Sequence, residues 1–225
     1  MTKILHLETA TQNCSVALSE NGKLCCLKEE NSPNIHASAI TLFIADVLAE
    51  AGIQARELDA IAVSKGPGSY TGLRIGASTA KGLCYALNKP LIATDTLRGM
   101  ASAVIASGQV SEADALFCPM IDARRMEVYA AIYNRQMEQL KAVSADIVDE
   151  HTYASYFKQP VYFFGDGAEK CMSSFSGYPE AHFIPGIWPS AAAVIAEAEA
   201  KFEAGQFEDV AYFEPYYLKE FFFNK

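Results

Sequence analysis

Ser64-Lys65-Gly66-Pro67-Gly68-Ser69-Tyr70-Thr71-Gly72-Leu73-Arg74-Ile75-Gly76 joins two kinds of apolar pattern. Upstream, residues 58–63 read as a buried strand by their length and β-branching. Downstream, Leu73, Ala77, Ala80, Leu83, Cys84 and Leu87 fall on one side of a helix over 71–87. Strand, glycine turn, helix is the geometry. Gly66 and Gly68 open backbone angles closed to other residues, and Pro67 fixes φ between them. Two readings of the turn stand side by side. It can hold an anion through the N–H groups of the helix N-terminus, or it can be a tight turn before a closely packed helix. The spacing Gly66-x-Gly68-x-x-x-Gly72 matches neither the dinucleotide fingerprint nor the GxxxxGK[ST] phosphate loop. Nor is it a nucleophile elbow, because Pro67 and Thr71 stand where glycines should flank Ser69. Gly72, Gly76, Ala80 and Cys84, four apart, are expected to let another helix approach to ~8 Å.

With 225 residues, 51% of them hydrophobic, the chain can bury a good core as one domain or two small ones. A formal charge of −9, from 18 Lys and Arg against 27 acids, argues against independent RNA or DNA binding. No run reaches transmembrane length and no signal peptide opens the sequence, so a cytoplasmic protein without membrane contact is expected. The six cysteines form no C-x-x-C pair, and Cys25 and Cys26 on one strand should point to opposite faces. Free thiols in a reducing compartment follow. His6, His36, His151 and His182 are too scattered for a zinc site to be read from spacing.

In order, residues 4–10, 14–19 and 23–29 are strand candidates, and Asn21-Gly22 is a hairpin signal. A helix over 36–51 ends at Gly52. It is apolar nearly all round: Ile40, Phe43, Ile44, Val47 and Leu48 make one face, while Ala37, Ala39, Leu42 and Ala45 fill much of the rest. Such a helix is covered on two sides, either by a sheet and another helix of its own fold or by a sheet and a partner protein. Strands at 58–64 and 90–94 flank the 71–87 helix, and 97–107 is helical. The order then restarts. Strands are expected at 115–121, 126–133, 140–148 and 161–164, with helices at 150–157, 168–175 and 189–203. The shared order suggests a duplicated unit, 1–105 and 106–225, with helix 189–203 packing back on the first half. Tyr216-Tyr217 and Phe221-Phe222-Phe223 make an aromatic tail, either a docked terminus or a binding patch.

Several stretches together carry a resemblance: Leu5-His6-Leu7-Glu8-Thr9-Ala10 with Cys14-Ser15-Val16-Ala17-Leu18, then His36, then Gly66 to Gly76. Asp122-Ala123-Arg124-Arg125-Met126-Glu127-Val128-Tyr129 and Gly165-Asp166-Gly167-Ala168 complete it. The sequence closely resembles the bacterial tRNA threonylcarbamoyladenosine biosynthesis family TsaB, also called YeaZ and formerly labelled glycoprotease-like. The resemblance implies an α/β fold of the actin-like, Hsp70-like, sugar-kinase-like ATPase class, made of two ribonuclease-H-like halves. It also implies a non-catalytic subunit that binds and activates the sister protein TsaD, joined by the ATPase TsaE, with tRNA held only through the complex and a homodimer when alone. TsaD carries a metal-binding His-x-x-x-His where this chain has Thr96 and Met100, poor ligands for a hard or borderline divalent ion. Acidic residues of TsaD are replaced by Gln12 and Asn13, leaving Glu8 as thin support for Mg²⁺. No catalytic residue, metal or cofactor is therefore expected.

The residues that the resemblance nominates for the partner face are Ala39, Leu42, Phe43, Ala45, Asp46, Gly72, Arg74, Ile75, Gly76 and Thr79, on helices 36–51 and 72–87. A leucine at position 76 should wedge that helix pair apart while leaving the fold largely intact. Glu8, Thr11, Asp122, Arg124 and Arg125 are candidates for anion or nucleotide contact. For the last three the alternatives are an Asp122–arginine ion pair and arginines that meet phosphate. A metal-dependent peptidase and a free-standing small-molecule kinase or ATPase are the rival functions, and both lack their expected residues here.

Overall fold

The structure, a computed structural model, describes residues 1–32 and 36–219. Five strands come before residue 100: β1 (Lys3–Glu8), β2 (Asn13–Glu20), β3 (Lys23–Asn31), β4 (Ala60–Ser64) and β5 (Leu91–Thr94). They form one sheet in the order β3-β2-β1-β4-β5. The first three make an antiparallel meander, and β4 and β5 run parallel to β1. The hairpin between β2 and β3 turns at Asn21 and Gly22, both at positive φ, as their residue types require.

A second sheet repeats this path. β6 (Leu116–Asp122), β7 (Glu127–Tyr133), β8 (Gln139–Ile147), β9 (Val161–Phe164) and β10 (Ala181–Ile184) lie in the order β8-β7-β6-β9-β10. Again the meander is antiparallel and the last two strands are parallel to the first. The duplicated order of elements seen in the sequence is thus a duplicated sheet topology.

Four helices accompany the sheets: α1 (His36–Glu50), α2 (Tyr70–Leu87), α3 (Thr96–Ser107) and α4 (Ile195–Glu203). The described residues divide into two compact units, Met1–Gly99 with Pro189–Tyr217, and Met100–Trp188 with Leu218 and Lys219. Within the first, strand alternation feeds two cores. Leu5, Leu7, Val16, Ile61 and Val63 point to α1 and α2, meeting Ile40, Ile44, Val47, Ala77 and Ala80. Ile4, Ala60, Ala62 and Ile92 point the other way, onto Ala198 of α4. Strands covered on both faces explain why 58–63 reads as a continuous run instead of an alternation. The core of the second unit is aromatic, with Phe163, Phe175 and Tyr153 at its centre.

Several expected elements take another form. The helix at 150–157 is a single 3-10 turn, Ala154–Tyr156, because Tyr153 stands at φ +67° and breaks any α-helix there. At 168–175 there is only the 3-10 turn Glu169–Cys171 among turns. The helix at 189–203 begins as a 3-10 turn, Ala191–Val194, whose Ser190 cap accepts the Ala192 N–H, and becomes α4 only after Val194. β10, four residues on the sheet edge, was not expected at all.

All six cysteines are free; Cys25 is exposed and Cys26 buried, as opposite faces of a strand dictate. Among the described residues no helix is long and apolar enough to cross a membrane. The tail docks: Phe213 is buried, Lys81 Nζ donates to the Ala211 and Phe213 carbonyls at 3.0 and 3.1 Å, and Tyr216 N–H donates to Lys65 O at 2.7 Å. Phe221-Phe222-Phe223 lies outside the described residues.

Candidate functional site

The glycine run is built against the turn between β1 and β2. Ser69 caps α2, its hydroxyl accepting the Gly72 N–H at 3.3 Å, and its own N–H donates to Ala10 O at 2.6 Å. A Cβ on Gly68 would stand 2.3 Å from Ala10 O, one on Gly72 2.1 Å from Thr9 O, and one on Gly76 2.3 Å from Thr9 Oγ1. The run is a tight turn before a closely packed helix, and its small residues meet their own sheet. A period of four says which residues share a side of α2, but not what that side touches. Gly72, Gly76 and Ala39 are buried within the chain.

What α1 and α2 leave outside is different. Ala39, Ile40, Ile44 and Val47 are buried. The opposite side of α1 is open: Leu42 is 63% exposed, and Thr41, Ala45 and Asp46 are exposed beside it. Between the helices runs an open groove of about 500 Å³, lined among others by Ile40, Thr41, Tyr70, Arg74, Ile75 and Thr79. Arg74 is exposed, while Phe43, Ile75 and Thr79 are half-buried. Arg74 donates to Tyr70 Oη at 3.2 Å and lies 5.4 Å over the Tyr70 ring, which pairs in turn with the Tyr217 ring at 4.9 Å. Tyr85, 87% exposed on α2, was missed; its position eleven after Arg74, three helical turns on, could have signalled it.

A polar row crosses the other face of the same sheet. Glu8, 1% exposed, accepts the Ala10 N–H at 2.7 Å and the Ser64 hydroxyl, and burial pushes its carboxyl up to about 7. Ser15 is its register partner on β2, and Thr94 is that of Ser64 on β5. Thr9, Thr94 and Thr96 keep hydroxyls without a hydrogen-bond partner among the described residues. His6, fully buried two residues before Glu8, shares a 2.8 Å hydrogen bond with Ser19 Oγ, and burial lowers its pKa to about 3. Thr11, also buried, accepts the Asn13 N–H at 3.3 Å and so shapes the turn.

In the second unit Asp122 makes no ion pair with an arginine guanidinium, contrary to the first of the two alternatives. Its Oδ1 accepts the backbone N–H of Arg124 at 2.8 Å and the ammonium of Lys170. Arg124 and Arg125 stand at φ +72° and +50°, and both side chains are exposed.

The two residues that the resemblance sets against a His-x-x-x-His do not fit a metal. Thr96 and Met100 are each 1% exposed and offer a hydroxyl and a thioether. Among the described residues no group of three His, Cys, Asp or Glu side chains is placed to hold an ion.

A family model described as TsaD, tRNA N6-adenosine threonylcarbamoyltransferase, matches residues 30–212. The chain belongs to the TsaD family. Within it, the chain is similar to TsaB proteins. It is 37% identical to the tRNA threonylcarbamoyladenosine biosynthesis protein TsaB of Haemophilus influenzae over 126 residues, 56% of this chain and 51% of the relative. The Escherichia coli K12 TsaB is 37% identical over 133 residues, 59% of this chain and 55% of that one. The chain thus spans about half the length of these curated TsaB relatives. The solved YeaZ from Pseudomonas aeruginosa superposes with a TM-score of 0.76 at 27% identity, over 97% of this chain and 100% of that one. An activator of 2-hydroxyisocaproyl-CoA dehydratase from Clostridium difficile, solved with ADPNP, shares the fold alone: TM-score 0.50, 8% identity, 91% of this chain and 96% of that one. This TsaD-family chain shares its α/β fold, two five-stranded sheets of one topology, with these solved structures.

Proposed function

We propose that this chain is a non-catalytic subunit in tRNA threonylcarbamoyladenosine biosynthesis, binding and ordering a TsaD-type transferase through the exposed face of α1 and α2. One observation carries the reading: α1 is apolar on both sides, and the side bearing Leu42 and Ala45 is left open beside the groove. Water-exposed leucine on a small-residue helix face, next to an arginine stacked on tyrosine, has the composition of an interface core with a polar rim. The lack of imidazoles at positions 96 and 100, held by Thr96 and Met100, supports the non-catalytic half of the reading, and the relatives' names support the pathway. In this account the transferase would supply the metal and the acyl-transfer chemistry: the adenine exocyclic amine attacks the carbamoyl carbonyl of the threonylcarbamoyl adenylate, the carbonyl–phosphate oxygen bond breaks to release AMP, and the amine gives up a proton. The ATPase TsaE joins the pair, tRNA is held by the assembly, and without its partner the face pairs with a second copy by a two-fold.

Leu42→Glu places a charge in the middle of this face without touching the core. It is expected to weaken binding to the transferase about 30-fold, about 2 kcal/mol, with an unchanged unfolding midpoint. Titration calorimetry of the purified pair checks it. In cells lacking this chain, mass analysis of tRNA nucleosides should show the modification lost, restored by the wild type and poorly by Leu42→Glu. Normal modification without the chain would sink the proposal.

A further inference from the structure

This inference rests on the proposed role and concerns the turn between β6 and β7. Among the described residues Arg124 and Arg125 are the one adjacent pair of non-glycine residues at positive φ. Left-handed backbone disfavours residues with a Cβ, and glycine or asparagine would make the same turn more cheaply. Something other than shape keeps two arginines there.

The surrounding acids are committed to other donors. Asp122 takes the Arg124 N–H and Lys170, Asp166 Oδ1 takes the Asp122 N–H at 3.1 Å, and the Glu127 carboxylate pairs with Lys219. Neither guanidinium has an ion pair among the described residues. The backbone beneath them is fixed. Ala123 N–H donates to Glu127 O at 3.0 Å, Glu127 N–H to Arg124 O at 3.1 Å, and Val148 N–H to Met126 O at 2.8 Å. Gly165 and Gly167 bring the following loop against Met120, Ile121 and Asp122, closer than a Cβ would allow. Lys170 from that loop donates to Glu127 O at 2.7 Å.

We propose that this turn is a sequence-independent contact for the phosphodiester backbone of the tRNA on which the assembled complex acts. Two adjacent guanidinium forks on a fixed turn suit phosphate oxygens. On a chain of net charge −9, RNA can approach closely only where uncommitted cations make the field locally positive.

The test is a fluorescence-anisotropy titration of full-length tRNA into the assembled complex of this chain with a TsaD-type transferase, between about 50 and 200 mM salt. R124A/R125A is expected to weaken binding about 10-fold at the low end and to reduce the log–log salt slope by about 1.5. R124G/R125G should lose the same affinity while its Tm rises by a few degrees, since glycine relieves the left-handed backbone. R124K/R125K should keep most of the slope. Unchanged affinity and slope in the alanine and glycine variants would overturn the contact. Failed assembly with intact tRNA affinity would also overturn it and make the turn a protein contact. If the wild-type chain itself does not assemble with the transferase, the proposed role falls, and this contact with it.

Discussion

Gly72→Ala is expected to unfold the first unit, whereas Gly82→Ala, ten residues along the same helix, is expected to stabilise it. A methyl on Gly72 would stand 2.1 Å from the carbonyl oxygen of Thr9, a backbone atom held between β1 and β2 that cannot rotate aside. Relief requires moving α2 off the sheet, and with it Leu73, Ala77 and Ala80, all buried. A loss on the order of 4 kcal/mol or more follows, most of the stability of an ordinary domain. Gly76→Leu meets a side-chain hydroxyl instead, Thr9 Oγ1 at 2.3 Å from the first added carbon, with Val63 at 3.5 Å behind it, and the remaining three carbons of leucine have no room, so it should fail to fold instead of merely parting a partner. Around Gly82 nothing lies within 4 Å, and alanine there gains about 0.5–1 kcal/mol from helix propensity alone. Urea unfolding of the two alanine variants checks both signs. Equal midpoints would mean that the close approach of α2 to Thr9 is wrong.

Glu8→Gln should change how stability depends on pH. Burial raises the Glu8 carboxyl from 4.5 to about 7, so below pH 4.5 it is protonated folded or unfolded and costs nothing. As pH rises from 4.5 to 7 the unfolded chain ionises first, and the folded state loses about 3 kcal/mol in all. His6 runs the other way. Burial lowers it from 6.5 to about 3, so its contribution is full above 6.5 and is lost as pH falls toward 3. Between pH 4.5 and 6.5 the two slopes, each about 1.4 kcal/mol per unit, nearly cancel in the wild type. Glu8→Gln removes one of them. The variant should match the wild type at pH 4, exceed it by up to about 3 kcal/mol at pH 8, and show stability rising through the interval where the wild type is flat. Parallel wild-type and variant curves would show that Glu8 is not the buried acid described.

The sheet frame was legible because its signals are local. Asn21-Gly22 sets the first hairpin, and the run before Gly66 is short and unbroken, as a strand covered on both faces must be. Repetition of element order announced two similar halves even though β10 is too short and too half-buried to register by itself. Partnership was less legible. The row Gly72, Gly76, Ala80 and Cys84 identified a close approach but gave no information on which element approaches. That information lies in the β1–β2 turn, more than sixty residues away in the chain. Asp122 and the arginines after it suggested an ion pair, but the carboxylate takes the ammonium of Lys170, 48 residues on, which adjacency in sequence does not reveal. Glu8 was noticed as a lone carboxylate, and its bond to Ser64 follows from the neighbouring C-terminal ends of β1 and β4, which strand order alone reveals. For α1 the sequence left two covers open, and the exposed side of Leu42 favours the one that lies outside the chain.

Reconstitution tests the central claim most directly. Threonylcarbamoyl transfer to tRNA would be timed with the purified transferase alone, with this chain alone, and with both. The account predicts no turnover by this chain alone, slow turnover by the transferase, and a rate raised by adding wild-type chain but scarcely by Leu42→Glu. Turnover by this chain without the other subunit, or a transferase rate indifferent to its presence, would contradict it.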